Sequence, residues 1–131
     1  TGDLNRAARL RELLRERPQF SLLSGDDFTV FPFLALGGHG VISVTSNVAP
    51  QWVSALVDAA FGGRWDEARA LHDRHYPLAR AMFTQPNPIP VKAAMALLGR
   101  TSGEMRLPLV EIDPNSREGQ SLADTLQTLG L

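Results

Sequence analysis

The chain has 131 residues, no cysteine and a formal net charge of −1 at pH 7, with a pI near 6.2. Without thiols it has no disulfide, no thiolate metal cluster and no cysteine nucleophile, a pattern that fits the cytosol. Basic and acidic residues are interleaved, which gives no electrostatic footprint for nucleic acid or anionic lipid, and no apolar run approaches a membrane span. Small-molecule chemistry and protein contacts remain.

The opening Thr1-Gly2-Asp3 carries neither a basic segment nor a hydrophobic signal core. Asp3 stands at an N-cap position, and Leu4, Ala7, Ala8, Leu10 and Leu14 mix with arginines, predicting an amphipathic helix to Arg15 that Pro18 ends. Phe20 to Leu23 reads as a strand buried on both faces, as in parallel sheets. It leaves through Gly25-Asp26-Asp27 into a short helix from Asp27 to Leu36, stopped by Gly37-Gly38. A second strand, Val41 to about Thr45, leaves through Ser46-Asn47. The helix after it, about Gln51 to Phe61, puts Trp52, Val53, Leu56, Val57, Ala60 and Phe61 on one stripe.

Two strand exits in this rhythm are the repeat unit of a β/α barrel, where reacting groups sit at the C-terminal ends of the strands. An eight-unit barrel needs roughly 250 residues, so the chain holds about half of one. The expected fold class is α/β: residues 1–62 as the C-terminal part of a (β/α)8 TIM barrel with two strands, and residues 63–131 as a C-terminal helical extension. Within the extension, a helix from about Arg64 to Thr84 places Trp65, Ala68, Leu71, Leu78, Ala79, Met82 and Phe83 on one arc, with a kink expected at Pro77. Pro86, Pro88 and Pro90 predict an extended, rigid corner before a helix that Gly99 ends. After an irregular stretch, Asp113-Pro114-Asn115-Ser116 starts a last helix carrying Leu122, Leu126 and Leu129, with Gly130 past its end. Two parallel strands cannot cover their own edges, so the missing strands are expected from another stretch of chain, without which this one should not fold stably.

Few side chains offer chemistry. Asp26 and Asp27 at the first exit form a carboxylate pair, though capping or loop fixing is favoured over acid–base catalysis at such a turn. His72 and His75 share a helical face at a spacing that allows a common metal ion, but they fall in the apolar arc without a third ligand, which favours packing or a subunit contact. His39 has no evident partner. Lys92, the sole lysine, sits in the first turn of a helix beside its apolar stripe, where snorkelling to the surface is favoured over a Schiff-base role. What remains is backbone: Gly25 and Ile42-Ser43 at the strand ends can set carbonyl and N–H groups against a small ligand.

Five runs in order, Thr1-Gly2-Asp3-Leu4, Leu22-Leu23-Ser24-Gly25-Asp26-Asp27, Leu36 through Asn47, Pro86 through Lys92 and Arg106-Leu107-Pro108-Leu109, resemble the C-terminal part of the dihydrodipicolinate synthase (4-hydroxy-tetrahydrodipicolinate synthase) family over the whole chain. The resemblance implies a pyruvate-dependent class I aldolase barrel, a cytoplasmic homotetramer. Its pyruvate forms a Schiff base with a lysine and condenses with aspartate semialdehyde on the way to diaminopimelate and lysine. No cofactor and no metal is implied. That lysine, the tyrosine relay and the threonine pair belong to the family's earlier part, which places the lysine just upstream of Thr1 and leaves no catalytic residue in this chain. Carried over are Ile42, whose carbonyl faces the Schiff-base site, and Gly25 on the neighbouring strand end, with Asn87 at the barrel mouth. The N-terminal part of the same barrel is therefore an expected partner. Rival readings are an N-acetylneuraminate or keto-sugar-acid lyase of the same superfamily and a non-catalytic assembly subunit.

Overall fold

A computed structural model describes residues 2–131, so the Thr1 end of the first motif lies outside the described residues. The order of elements is helix α1 (Leu4–Leu13), helix α2 (Val30–Ala35), a 3-10 turn (Thr45–Asn47), then α3 (Pro50–Phe61), α4 (Trp65–Met82), α5 (Ile89–Leu97) and α6 (Arg117–Thr128). No described helix is long and apolar enough to cross a membrane.

Local chemistry explains most boundaries. The Asp3 carboxylate accepts from the Arg6 amide at 3.0 Å and starts α1, and Ser116 Oγ accepts from the Gly119 amide at 3.1 Å and starts α6. α2 begins later than the expected Asp27, because Asp26 accepts from the amide of Thr29 at 3.0 Å and from its hydroxyl, holding the preceding residues in a turn. Gly38 closes that unit where a side chain has no room: a Cβ there would lie 2.1 Å from the Phe33 ring. α4 runs unbroken through Pro77. The proline corner is compact rather than extended, with a cis Asn87–Pro88 bond and the Ile89 amide donating to Pro86 O at 3.0 Å. That turn delivers the chain directly into α5, which Gly99 terminates at a φ of +67°.

The two expected strands shrink to one parallel bridge, Ser24 to Val41: Ser24 lies just past the expected Phe20–Leu23, and Thr45, the expected end of the second strand, is already in a 3-10 turn. The Ser24 amide donates to Gly40 O at 2.9 Å and the Ile42 amide to Ser24 O at 2.7 Å, so Ser24 bonds the residues on either side of Val41, as in a parallel pair. A strand of a barrel has neighbours on both sides, and among the described residues each of these segments has only the other. Phe20, Leu23 and Ile42 are accordingly 54 %, 52 % and 69 % exposed.

The core has two clusters that share α3 and α4. One gathers Val48, Trp52, Leu78, Met82, Val91 and Leu122, and the other Val30, Leu34, Leu56, Ala59 and Ala68. Phe61 and Trp65, expected on buried stripes, are exposed instead, because they flank the Gly62-Gly63 turn beyond the contact between the two helices. His75 is fully buried on the α4 arc, as are Ala68, Leu78, Ala79 and Met82.

Candidate active site at the paired exits

The bridge brings Gly25 and Ile42 together: the carbonyl of Ser24, peptide-bonded to Gly25, accepts from the Ile42 amide. A Cβ added at Gly25 would meet nothing within 4 Å. Among the described residues no hydrogen bond reaches the Ile42 carbonyl.

Behind this pair stands Asp27, buried with its ionisable group in a dense set of donors. Its Oδ1 accepts from Ser43 Oγ at 2.5 Å and Thr45 Oγ1 at 2.8 Å, and its Oδ2 from the amides of Val44 at 2.8 Å and Thr45 at 3.4 Å. Burial on its own pushes this carboxyl up. The hydrogen bonds linked to His75, Ser43, Thr45 and the Val44 amide outweigh that and bring it down from 3.8 to about 2. Asp27 thus fixes a loop, the role favoured for it, by tying the first exit to the second. Asp26 performs the same local task for Thr29.

The network extends to α4. His75 Nε2 lies 2.5 Å from Thr45 Oγ1 and 3.6 Å from Asp27 Oδ1. Thr45 has one hydroxyl proton; with that proton on the carboxylate 2.8 Å away, the Nε2–H tautomer of His75 donates to Thr45 Oγ1, which also lies 3.0 Å from Ser43 Oγ. Its other nitrogen, Nδ1, is buried without a partner. The alternation of Ser43 and Thr45 on one strand face was the available sequence signal for this cluster; nothing in the sequence linked it to His75, some thirty positions on.

The remaining candidates resolve as scaffold. His72 stacks on Phe31 with centroids 5.7 Å apart, and burial, followed by the field of His75, lowers its pKa against an opposing pull from Asp73. No group of three or more His, Asp or Glu among the described residues is arranged to hold a metal ion. His39 has a partner after all: its Nδ1 accepts from the Leu22 amide at 3.0 Å, replacing a missing ladder bond at the strand edge. The Lys92 ammonium donates to the Glu104 carbonyl and so tethers the loop after α5. A groove of about 680 Å³ between α4 and α6, lined by residues such as Arg80, Arg117 and Thr125, lies away from both exits.

Comparison with known proteins places the chain in a family. The model of the Dihydrodipicolinate synthetase family matches residues 1–129. The 4-hydroxy-tetrahydrodipicolinate synthase of Syntrophus aciditrophicus is 53% identical over 112 residues, which are 86% of this chain and 38% of that protein. That of Chlorobium limicola is 50% identical over 126 residues, 95% of this chain and 42% of its own. The crystal structure of dihydrodipicolinate synthase from Aquifex aeolicus superposes with a TM-score of 0.93 at 39% identity, covering 100% of this chain and 43% of that one. The chain therefore spans about two fifths of the length of these relatives. With its exits paired as two neighbouring units of a β/α barrel, it belongs to the dihydrodipicolinate synthetase family and represents the C-terminal part of that barrel fold.

Proposed function

We propose that this chain is the C-terminal portion of an enzyme that condenses pyruvate with aspartate semialdehyde to give 4-hydroxy-tetrahydrodipicolinate. The observation that carries the reading is the pairing of Ser24 with Val41, which sets Gly25 and Ile42 side by side at two strand ends, in a chain half identical to named synthases. In the proposed reaction a lysine amine N-terminal to Thr1 attacks the ketone carbon of pyruvate and water leaves. The resulting imine loses a methyl proton to become an enamine, whose terminal carbon adds to the aldehyde; the acceptor's own amine then attacks the re-formed imine carbon, closing the ring and releasing the lysine amine. Residues of this chain supply neither nucleophile nor proton. They bind and orient, with the Ile42 carbonyl and Gly25 as the substrate-facing groups. The open space at Gly25 and the unengaged carbonyl of Ile42 support this assignment.

In the same reading residues 1–62 complete the barrel, residues 63–131 form its helical extension, the N-terminal part of the barrel covers Leu23 and Ile42, and the assembly is a cytoplasmic homotetramer. The test is borohydride reduction of the complete polypeptide in the presence of pyruvate. We expect a single pyruvyl adduct on a lysine preceding Thr1, and turnover with aspartate semialdehyde as acceptor. Absence of the adduct overturns the reading, and turnover of N-acetylmannosamine in place of the semialdehyde would move it to the lyase branch.

A further inference from the structure

The geometry points to His75 as a positioning residue for the substrate-facing backbone at Ile42. This rests on the reading above for its consequence but on the hydrogen-bond chain for its mechanism. Ile42 is held on one side by its amide bond to Ser24 O at 2.7 Å. On its other side the next three residues, Ser43, Val44 and Thr45, all donate to the Asp27 carboxylate. Ser43 is held further by the Ser46 amide, which donates to its Oγ at 2.9 Å, and by Ser46 Oγ, which donates to its carbonyl at 2.9 Å. The orientation of the Ile42 carbonyl is therefore set by how firmly Asp27 grips the segment after it.

That grip depends on where the Thr45 proton points. A threonine hydroxyl can donate once, and if it turned toward His75, Asp27 Oδ1 would face the bare oxygen of Thr45 at 2.8 Å. A donor at Nε2 of His75, 2.5 Å from Thr45 Oγ1, prevents this by occupying the hydroxyl's acceptor side. Both the ring and the carboxylate are closed to water, with side chains of His75 and Asp27 only 1% and 2% exposed, so no solvent molecule can take over that task. His75 is also the point at which α4, on the helical extension, reaches the exit of the second barrel unit. An apolar residue of equal size would fill the same volume on the α4 arc; it would not direct the proton.

The experiment compares His75→Leu and His75→Gln with the parent in the complete polypeptide. Glutamine keeps an N–H donor, whereas leucine keeps only bulk. For His75→Leu we expect amide hydrogen exchange at Val44 and Thr45 to accelerate by about tenfold, the loss of roughly one buried hydrogen bond, and kcat for condensation to fall by a similar factor with KM for aspartate semialdehyde little changed. His75→Gln should recover exchange and kcat to within about threefold of the parent. Unchanged exchange at Val44 and Thr45 in His75→Leu overturns the inference, as does a His75→Gln variant that is no better than leucine. If His75→Leu does not fold, the glutamine variant decides alone: parental exchange supports the inference, and accelerated exchange at those two amides sinks it. A parent that forms no pyruvate adduct defeats the proposed reaction and not the role of His75, which the exchange rates judge separately.

Discussion

Asp27 shows how a single buried charge can tie together the loops at two strand exits. A carboxylate taken out of water is tolerated only when its lone pairs are filled, and here two hydroxyls and two amides fill them. Asp27→Asn would replace an acceptor with an N–H facing existing donors, and urea unfolding of the complete polypeptide should show a loss of about 3 kcal/mol. The sign of the pH dependence follows from a carboxyl held near 2 in the folded state against 3.8 unfolded. The ionised form favours folding, so the contribution is fully present above the unfolded value and disappears as pH falls toward 2, amounting to about 2 kcal/mol. Stability measured through that window should fall less steeply for Asp27→Asn than for the parent, and equal slopes would show that Asp27 is not the linked group. Arg9→Ala, which removes an exposed pair with Glu12, should leave stability unchanged within error. At this scale the loop-fixing role of Asp27 was legible from its place at a strand exit. Its partner His75 was not, because a contact between positions far apart in the chain leaves no local trace.

Among the elements, helix ends were easier to read than helix faces. Caps are local chemistry: Asp3 and Ser116 accept from amides three residues ahead, and Gly99 and Gly130 adopt positive φ past helix ends. Faces depend on what packs against them. Phe61 and Trp65 fit their apolar stripes by periodicity and are nevertheless exposed, at the two helix ends that flank Gly62-Gly63. Two substitutions separate the two kinds of contribution. Ser116→Ala should lower stability by about 1 kcal/mol through lost capping. Leu78→Ala, on a side chain with no exposure, should lower it by about 3 kcal/mol through lost contacts and a residual cavity. Chemical denaturation of both variants checks the ordering, and a larger effect at Ser116 would contradict it.

For the whole molecule, the distribution of exposed apolar groups matches a fold whose helices are packed and whose sheet is shared with more chain. Leu23 and Ile42 project from the bridge while Leu56, Leu78 and Met82 are fully enclosed. Leu23→Asp in the complete polypeptide should leave helical circular dichroism largely intact yet abolish the borohydride-trapped pyruvate adduct, since a charge would sit where barrel strands must pack. Retention of the adduct would show that Leu23 faces solvent in the full assembly. By itself the sequence determined the rhythm of the two exits and the helices that follow them, because turn residues, caps and hydrophobic periodicity act over a few neighbours. Only the tertiary structure decided that the parallel pairing narrows to a single bridge, that Phe61 and Trp65 stay outside, and that Asp27, Thr45 and His75 close into one hydrogen-bond chain. Those outcomes depend on which distant surfaces meet and on whether a buried charge finds its donors, neither of which is written in any local run of residues.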